Sequence, residues 1–291
     1  TDDFLPCSWL EQVDQVARDF FALSTEAKGT VGLREERGWR GWSCVGSEET
    51  LGVPDHHECL DLAVDYTEGE AAEAGLHLLA RRNPAELESL VPGSTGVLAR
   101  YMAKLSELGN LLLCALDVGG GGDGHYWDDY FAPKAHGLLR LLRYPRPERE
   151  CERVGVGEHT DYGFLTILRA SAPGLRVRRV AAAGGGTDDW LDVPPLADRF
   201  IVNLGDMLAL SSTRRPGGGK PLRATPHMVQ DVPVERYSFA YFHEPSLTAR
   251  VTGEQQAHPA EDNATCSQVQ VVYGDYLLNK YRKAYPTLCK N

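Results

Sequence analysis

The sequence predicts a mainly β protein with flanking helices, on three observations. From Leu138 onward, short apolar stretches recur between glycine and proline clusters, the texture of an all-β sandwich or barrel. Before that point run two amphipathic stretches of helical period, and one more closes the chain. No strand–helix–strand alternation is visible, which disfavours a dinucleotide-binding fold. At 291 residues and 42% apolar content the chain can build one large domain with an ordinary core. We read residues 1–137 as a mostly helical part packed on the core. Residues 138–245 form the core itself, and 246–291 a C-terminal extension with a helix.

The first helix is expected over 8–23, where Trp9, Val13, Val16, Phe20 and Leu23 recur at helical spacing and Ser8 and Glu11 make a capping box. Residues 29–52 read as loop around Arg40-Gly41-Trp42, and 57–64 as a short strand. Asn83-Pro84 has the form of an N-cap followed by proline at the first helical position. A long helix over 95–116 carries Leu98, Tyr101, Leu105, Leu108 and Leu112 on one face and ends in a glycine run that reads as a flexible tip. Strands are expected at 138–144, 163–169, 174–180, 199–204, 224–229 and 235–243, with hairpin loops at 181–186 and 214–219. The last helix is expected over 269–281.

Charge and cysteine usage narrow the function classes. A net charge of −11 offers no basic face for nucleic acid or an anionic membrane. No apolar run approaches the ~18 residues of a membrane span, and the first residues have no signal-peptide pattern. Seven cysteines with wide spacings and no C-x-x-C point to reduced thiols in a cytoplasmic protein. The sequon Asn263-Ala264-Thr265 is therefore read as unused. A monomer with a small-molecule partner is expected.

Chemistry is concentrated in His159-Thr160-Asp161. In a strand, residues i and i+2 share a face, so an imidazole and a carboxylate can converge on one ion. Each residue taken singly is more often a surface or satisfied polar group. His227, in RATPHMV, supplies a third ligand within the same β region. Two histidines and one carboxylate leave the other positions of an iron open, the ligand set of non-haem Fe(II) oxygenases. Arg236 and Ser238 alternate onto one face with Ala240 and Phe242. A guanidinium fork and a hydroxyl there can hold a carboxylate. Tyr144 would share a strand face with Leu142 and Arg140, and its hydroxyl could finish that pocket.

These residues, together with GWRGW, DHHECLDLA, LLRYP, HTDYGFLTIL, VNLGDML, RATPHMV and RYSFAYFHEP in that order, resemble the Fe(II)/2-oxoglutarate-dependent oxygenases of the isopenicillin N synthase-like branch. The resemblance runs from about Trp9 to Pro245. It implies a double-stranded β-helix (jelly-roll, cupin-like) core, with iron on His159, Asp161 and His227. It also implies 2-oxoglutarate on Arg236, Ser238 and Tyr144, dioxygen as co-substrate and ascorbate as a reductant. In halogenating relatives the carboxylate is missing, so the presence of Asp161 leaves a halide no position. Leu142 stands where many plant members carry asparagine, two residues before the tyrosine, and the family's usual opening strand is not evident.

The implied activity is oxidation of a C–H bond, by hydroxylation, desaturation or cyclisation, with release of succinate and carbon dioxide. A guanidinium facing a cavity needs a partner. If Arg140 or Arg40 faces the pocket, that partner is a substrate carboxylate or an internal acid, and we expect a small carboxylate-bearing metabolite. Trp42, His125 and Trp127 are weaker candidates for the rim. Two other readings compete. One is a 2-oxoglutarate-independent oxidase of the isopenicillin N synthase or 1-aminocyclopropane-1-carboxylate oxidase type. The other is a non-catalytic jelly-roll protein with a bound metal.

Overall fold

The structure, a computed structural model, describes residues 4–75, 78–146, 154–179, 189–196, 199–215, 220–231, 233–255 and 267–285. The N-terminal part holds α1 (Cys7–Phe21), α2 (Thr25–Gly29), β1 (Gly41–Ser43), the hairpin strands β2 (Glu49–Thr50) and β3 (Val53–Pro54), and β4 (Glu58–Ala63). There follow α3 (Glu68–Ala74), α4 (Glu86–Leu90), the long α5 (Ser94–Gly119) and α6 (Asp128–Phe131). The β region comprises β5 (His136–Tyr144), β6 (Val154–His159), β7 (Leu165–Ala170), β8 (Leu175–Arg179), β9 (Asp189–Asp192) and β10 (Ile201–Leu204). It continues through α7 (Asp206–Ser212), β11 (His227–Gln230), β12 (Arg236–Glu244), β13 (Arg250–Gln255), β14 (Ser267–Val272) and α8 (Tyr273–Ala284). The loop expected at 181–186, part of the one at 214–219, the sequon and Cys151, Cys266 and Cys289 lie outside the described residues. Cys44, Cys59 and Cys114 are free thiols.

Two antiparallel sheets form the core. The larger has the order β1-β4-β5-β12-β7-β10 and the smaller β6-β11-β8-β9. Period-2 alternation sorts the side chains of β12 and β5 onto two faces. On one face Leu139, Leu141, Tyr237, Phe239 and Tyr241 join Leu60, Leu62 and Ile167 against α1 and α5. On the other, Leu142, Tyr144 and Ala240 meet Leu175 and Val229 of the smaller sheet, so this face is the interior of the sandwich. A third cluster gathers around α8, with Tyr273, Leu277 and Tyr281 packed against Leu208, Leu247 and Val251.

Several local expectations are corrected. The segment 1–137 is more than a helical cover, because β1 and β4 are hydrogen-bonded into the larger sheet. No capping box starts α1: its N-cap is Pro6, with no side-chain hydrogen bond. Asn83 does not cap a helix. Its amide accepts from the Ala63 nitrogen at 3.0 Å and donates to the Ala63 oxygen at 2.8 Å, closing the end of β4. Residues 267–272, SQVQVV, alternate polar and apolar and pair with β13, so α8 begins only at Tyr273.

Candidate functional site

His159 is the last residue of β6, and His227, the first of β11, is its register partner across the strand pair. Asp161 lies just past the end of β6, in the turn leading to β7, so it reaches the histidines from a bend rather than from a strand. The Asp161 Oδ1 is 3.8 Å from the His159 Nε2 and 3.7 Å from the His227 Nε2, and the two imidazole centroids are 4.2 Å apart. Each ring is fixed from behind by its Nδ1–H, which donates to the Gly157 carbonyl at 2.8 Å in His159 and to the Thr225 carbonyl at 2.9 Å in His227. That hydrogen bond sets the tautomer, so both Nε2 lone pairs point at the common centre.

The carboxylate divides its oxygens in the same way. Oδ2 accepts from the Thr166 hydroxyl and from the Asn203 Nδ2 at 2.6 Å, leaving Oδ1 to the histidines. Burial would raise the Asp161 pKa, yet His227, His159, Thr166 and Asn203 together hold it below the usual carboxylate value. Burial, reinforced by His227, lowers the pKa of His159 and favours the neutral, ligating imidazole. Two imidazole nitrogens and one carboxylate oxygen in a compact, partly buried set suit a divalent first-row ion with open positions. Sequence reading missed Thr166 and Asn203, although both lie within motifs quoted for the resemblance.

Arg236 and Tyr144 are register partners on β12 and β5, and Ser238 follows on the same interior face opposite Leu142. The guanidinium carbon sits 4.6 Å from the Tyr144 ring centroid. Arg236 is 1% exposed; its Nε donates to the Ala172 carbonyl at 3.2 Å, and its Nη1 is buried with no protein acceptor. An unpaired guanidinium donor inside a core is costly unless an anion completes it.

A cavity of about 480 Å³ opens beside the histidines and Asp161. Leu138, Arg140, Val156 and Phe242 of the sheets contribute to one side, the tip of the β2–β3 hairpin and Glu48 to another, and Leu277, Lys280, Tyr281, Lys283 and Ala284 of α8 to a third. Arg140 therefore reaches the cavity wall, but two internal acids and the Tyr285 hydroxyl take all its donors. Nε and Nη2 bind both oxygens of Asp61 at 2.9 Å, Nη1 binds Glu48 at 3.0 Å, and Nη2 also donates to the Tyr285 hydroxyl at 2.6 Å. His57 sits between two acceptors, the Gly155 carbonyl and Glu48, each at 3.1 Å, so both its ring nitrogens must donate. Despite burial its pKa is raised by Glu48, in keeping with an imidazolium. Glu48, Asp61, Arg140 and His57 thus form a closed group whose charges cancel, with no guanidinium donor left for a substrate.

The other expected pocket residues lie elsewhere. Arg40 is fully buried, donating to the Val64 carbonyl at 2.9 Å and paired with Asp65, and burial lowers its pKa to about 10. Trp42 faces the helical side and donates to Glu58 at 2.8 Å. Trp127 is buried against Ser211, and His125 is exposed beside Asp128. Leu142 is packed inside the sandwich. None of these five lines the cavity, because each has a nearer packing or hydrogen-bonding partner.

The model of the 2OG-Fe(II) oxygenase superfamily matches residues 135–245, and that of the N-terminal region of non-haem dioxygenases in morphine synthesis matches 3–81. The chain belongs to the 2OG-Fe(II) oxygenase superfamily and is an Fe(II)- and 2-oxoglutarate-dependent oxygenase with a jelly-roll core. It is 26% identical over 292 residues to a homoarginine-6-hydroxylase of Arabidopsis thaliana, covering 97% of this chain and 76% of that one. A 2-oxoglutarate-dependent dioxygenase of Aspergillus niger is 33% identical over 196 residues, or 66% of this chain and 58% of its own. A Neurospora crassa protein solved with alpha-KG and thymine superposes with a TM-score of 0.70 at 26% identity, covering 96% of this chain and 84% of that one. No helix among the described residues is long and apolar enough to cross a membrane.

Proposed function

We propose that His159 Nε2, Asp161 Oδ1 and His227 Nε2 hold Fe(II), and that Arg236, with Ser238 and Tyr144, holds the distal carboxylate of 2-oxoglutarate. The observation that carries this reading is the Arg236 Nη1, buried without a protein acceptor on the interior face of β12. Bound there, Fe(II), 2-oxoglutarate and dioxygen supply the oxidant for a C–H bond, with succinate and carbon dioxide released. The chain's own residues do the rest. Arg236 neutralises and orients one end of the co-substrate, and Tyr144 supports the guanidinium through its ring. Thr166 and Asn203 keep the Asp161 carboxylate turned toward the metal.

We read the substrate as a small carboxylate-bearing metabolite, recognised differently from the sequence expectation. Arg140 is spoken for, whereas Lys283 of α8 lines the cavity with no acidic partner among the described residues. An amino-acid substrate, of the kind named for the Arabidopsis relative, fits both the volume and that cation. A monomeric cytoplasmic enzyme accords with the free thiols and acidic charge.

The test is succinate formation from 2-oxoglutarate under Fe(II), ascorbate and air, with L-homoarginine, L-arginine, simple carboxylic acids and thymine as additions. Wild type is expected to turn over 2-oxoglutarate and to be stimulated by a carboxylate-bearing member of the panel. Arg236→Leu should raise the KM for 2-oxoglutarate by 10-fold or more, as loss of roughly 1.5–3 kcal/mol from a hydrogen bond to a charged group predicts. Oxygen uptake without any succinate would instead support a 2-oxoglutarate-independent oxidase. Unchanged KM in Arg236→Leu would remove Arg236 from the co-substrate site.

A further inference from the structure

The β2–β3 hairpin is built on a turn that its own sequence disfavours. Glu49 pairs with Pro54 and Thr50 with Val53, leaving Leu51 and Gly52 as a two-residue loop. Both have positive φ, 54° at Leu51 and 78° at Gly52, which is the type I′ arrangement. That turn favours Asn-Gly or Asp-Gly. A leucine at positive φ brings its Cβ against the backbone. Nothing in the packing repays this, because Leu51 is 84% exposed. It is nevertheless part of the wall of the cavity beside His159 and Asp161.

The hairpin is also firmly seated. The Thr50 hydroxyl donates to the Asp55 Oδ2 at 2.8 Å, and the Asp55 Oδ1 accepts from the Gly157 nitrogen at 3.2 Å. A Cβ at Gly157 would stand 2.7 Å from the Thr50 Cγ2, so the absence of a side chain there lets β2 lie against β6. The Gly157 carbonyl is the acceptor that fixes His159. The tip is therefore held at a set place relative to the metal ligands. Leu277 and Ala284 of α8 give the same cavity further apolar wall.

Strain kept at a site rim without a packing return points to function. We propose that Leu51 is a specificity-determining residue: it makes the apolar contact with the part of the substrate nearest the cavity mouth, so the substrate class carries an alkyl or aryl portion as well as its carboxylate. This rests on the cavity being the substrate chamber of the oxygenase.

The probes are the straight-chain carboxylates from butanoate to octanoate, titrated into wild type and Leu51→Asn loaded with Mn(II) and 2-oxoglutarate, alongside succinate formation. In wild type, Kd should fall about fourfold per added methylene, as burial of each methylene predicts. In Leu51→Asn the chain-length dependence should flatten, leaving octanoate at least 10-fold weaker. The affinity for 2-oxoglutarate should stay within twofold. Because asparagine accepts positive φ, Leu51→Asn should also melt about 2–4 °C higher than wild type. Leu51→Met should retain most of the chain-length dependence. A lower melting temperature in Leu51→Asn, equal slopes in the two proteins, or no octanoate binding in wild type would each overturn the proposal. Absence of succinate in both proteins would instead count against the oxygenase reading.

Discussion

Asp161 has two oxygens with two jobs, and the division depends on residues far away in sequence. Thr166 and Asn203 are direct register partners on β7 and β10, so their side chains meet at one Asp161 oxygen although 37 residues separate them. Removing one donor leaves the carboxylate freer to rotate away from the histidines. Partners of this kind, once removed, typically cost 10–100-fold in metal affinity. Asn203→Ala is therefore expected to weaken Fe(II) or Mn(II) binding by about 10-fold, with Thr166 still in place. Metal titration measures this, and an unchanged Kd would show that Thr166 suffices. His-x-Asp alone is a common pattern, and the candidate ligands stood out in the sequence only because His227 and Arg236-x-Ser238 follow within the same β region. Thr166 and Asn203 were not, because their role depends on strand register, which no local pattern carries.

Arg140 shows the same limit among the strands. Alternation along β5 correctly placed it on one face with Leu142 and Tyr144, but its partners come from other elements. Asp61 is its register partner on β4, and Glu48 leads into a hairpin with no periodic signal. What read as a possible substrate anchor is the centre of a closed charge group. Arg140→Leu would leave two largely buried carboxylates with only His57 to balance them. Breaking a buried pair from one side costs about 3–5 kcal/mol. A drop of that order in urea unfolding is expected, together with loss of turnover through misfolding at the cavity. A fully stable Arg140→Leu protein would mean that Glu48 or Asp61 is protonated. The strands of the core were legible because their apolar runs are long. β6 and β14 were harder, since GVGEH and SQVQ carry few large apolar residues. β14 consequently read as part of the following helix.

Across the whole molecule, two of the three packed clusters border the cavity, the one around α8 and the one inside the sandwich, and one buried acid couples their meeting to pH. Glu244, at the end of β12, is 4% exposed and accepts the Tyr273 hydroxyl of α8 at 2.5 Å. Burial pushes its pKa up to about 8, from 4.5 in the ordinary carboxyl. The folded state thus keeps a proton that the unfolded chain releases above about pH 4.5. Between these two values the native state binds more protons than the unfolded one, so stability falls as pH rises. This contribution is fully present below about pH 4.5 and lost as pH passes through 8. A shift of that size corresponds to about 5 kcal/mol. Glu244→Gln keeps the shape and removes the titration. The variant and wild type should be nearly equally stable at pH 4.5, and the variant should become progressively more stable up to pH 8.5. Urea unfolding at a series of pH values reads this directly. Parallel curves for the two proteins would show that Glu244 is ionised in the native state, and that the junction of β12 with α8 already holds a charge beside the cavity.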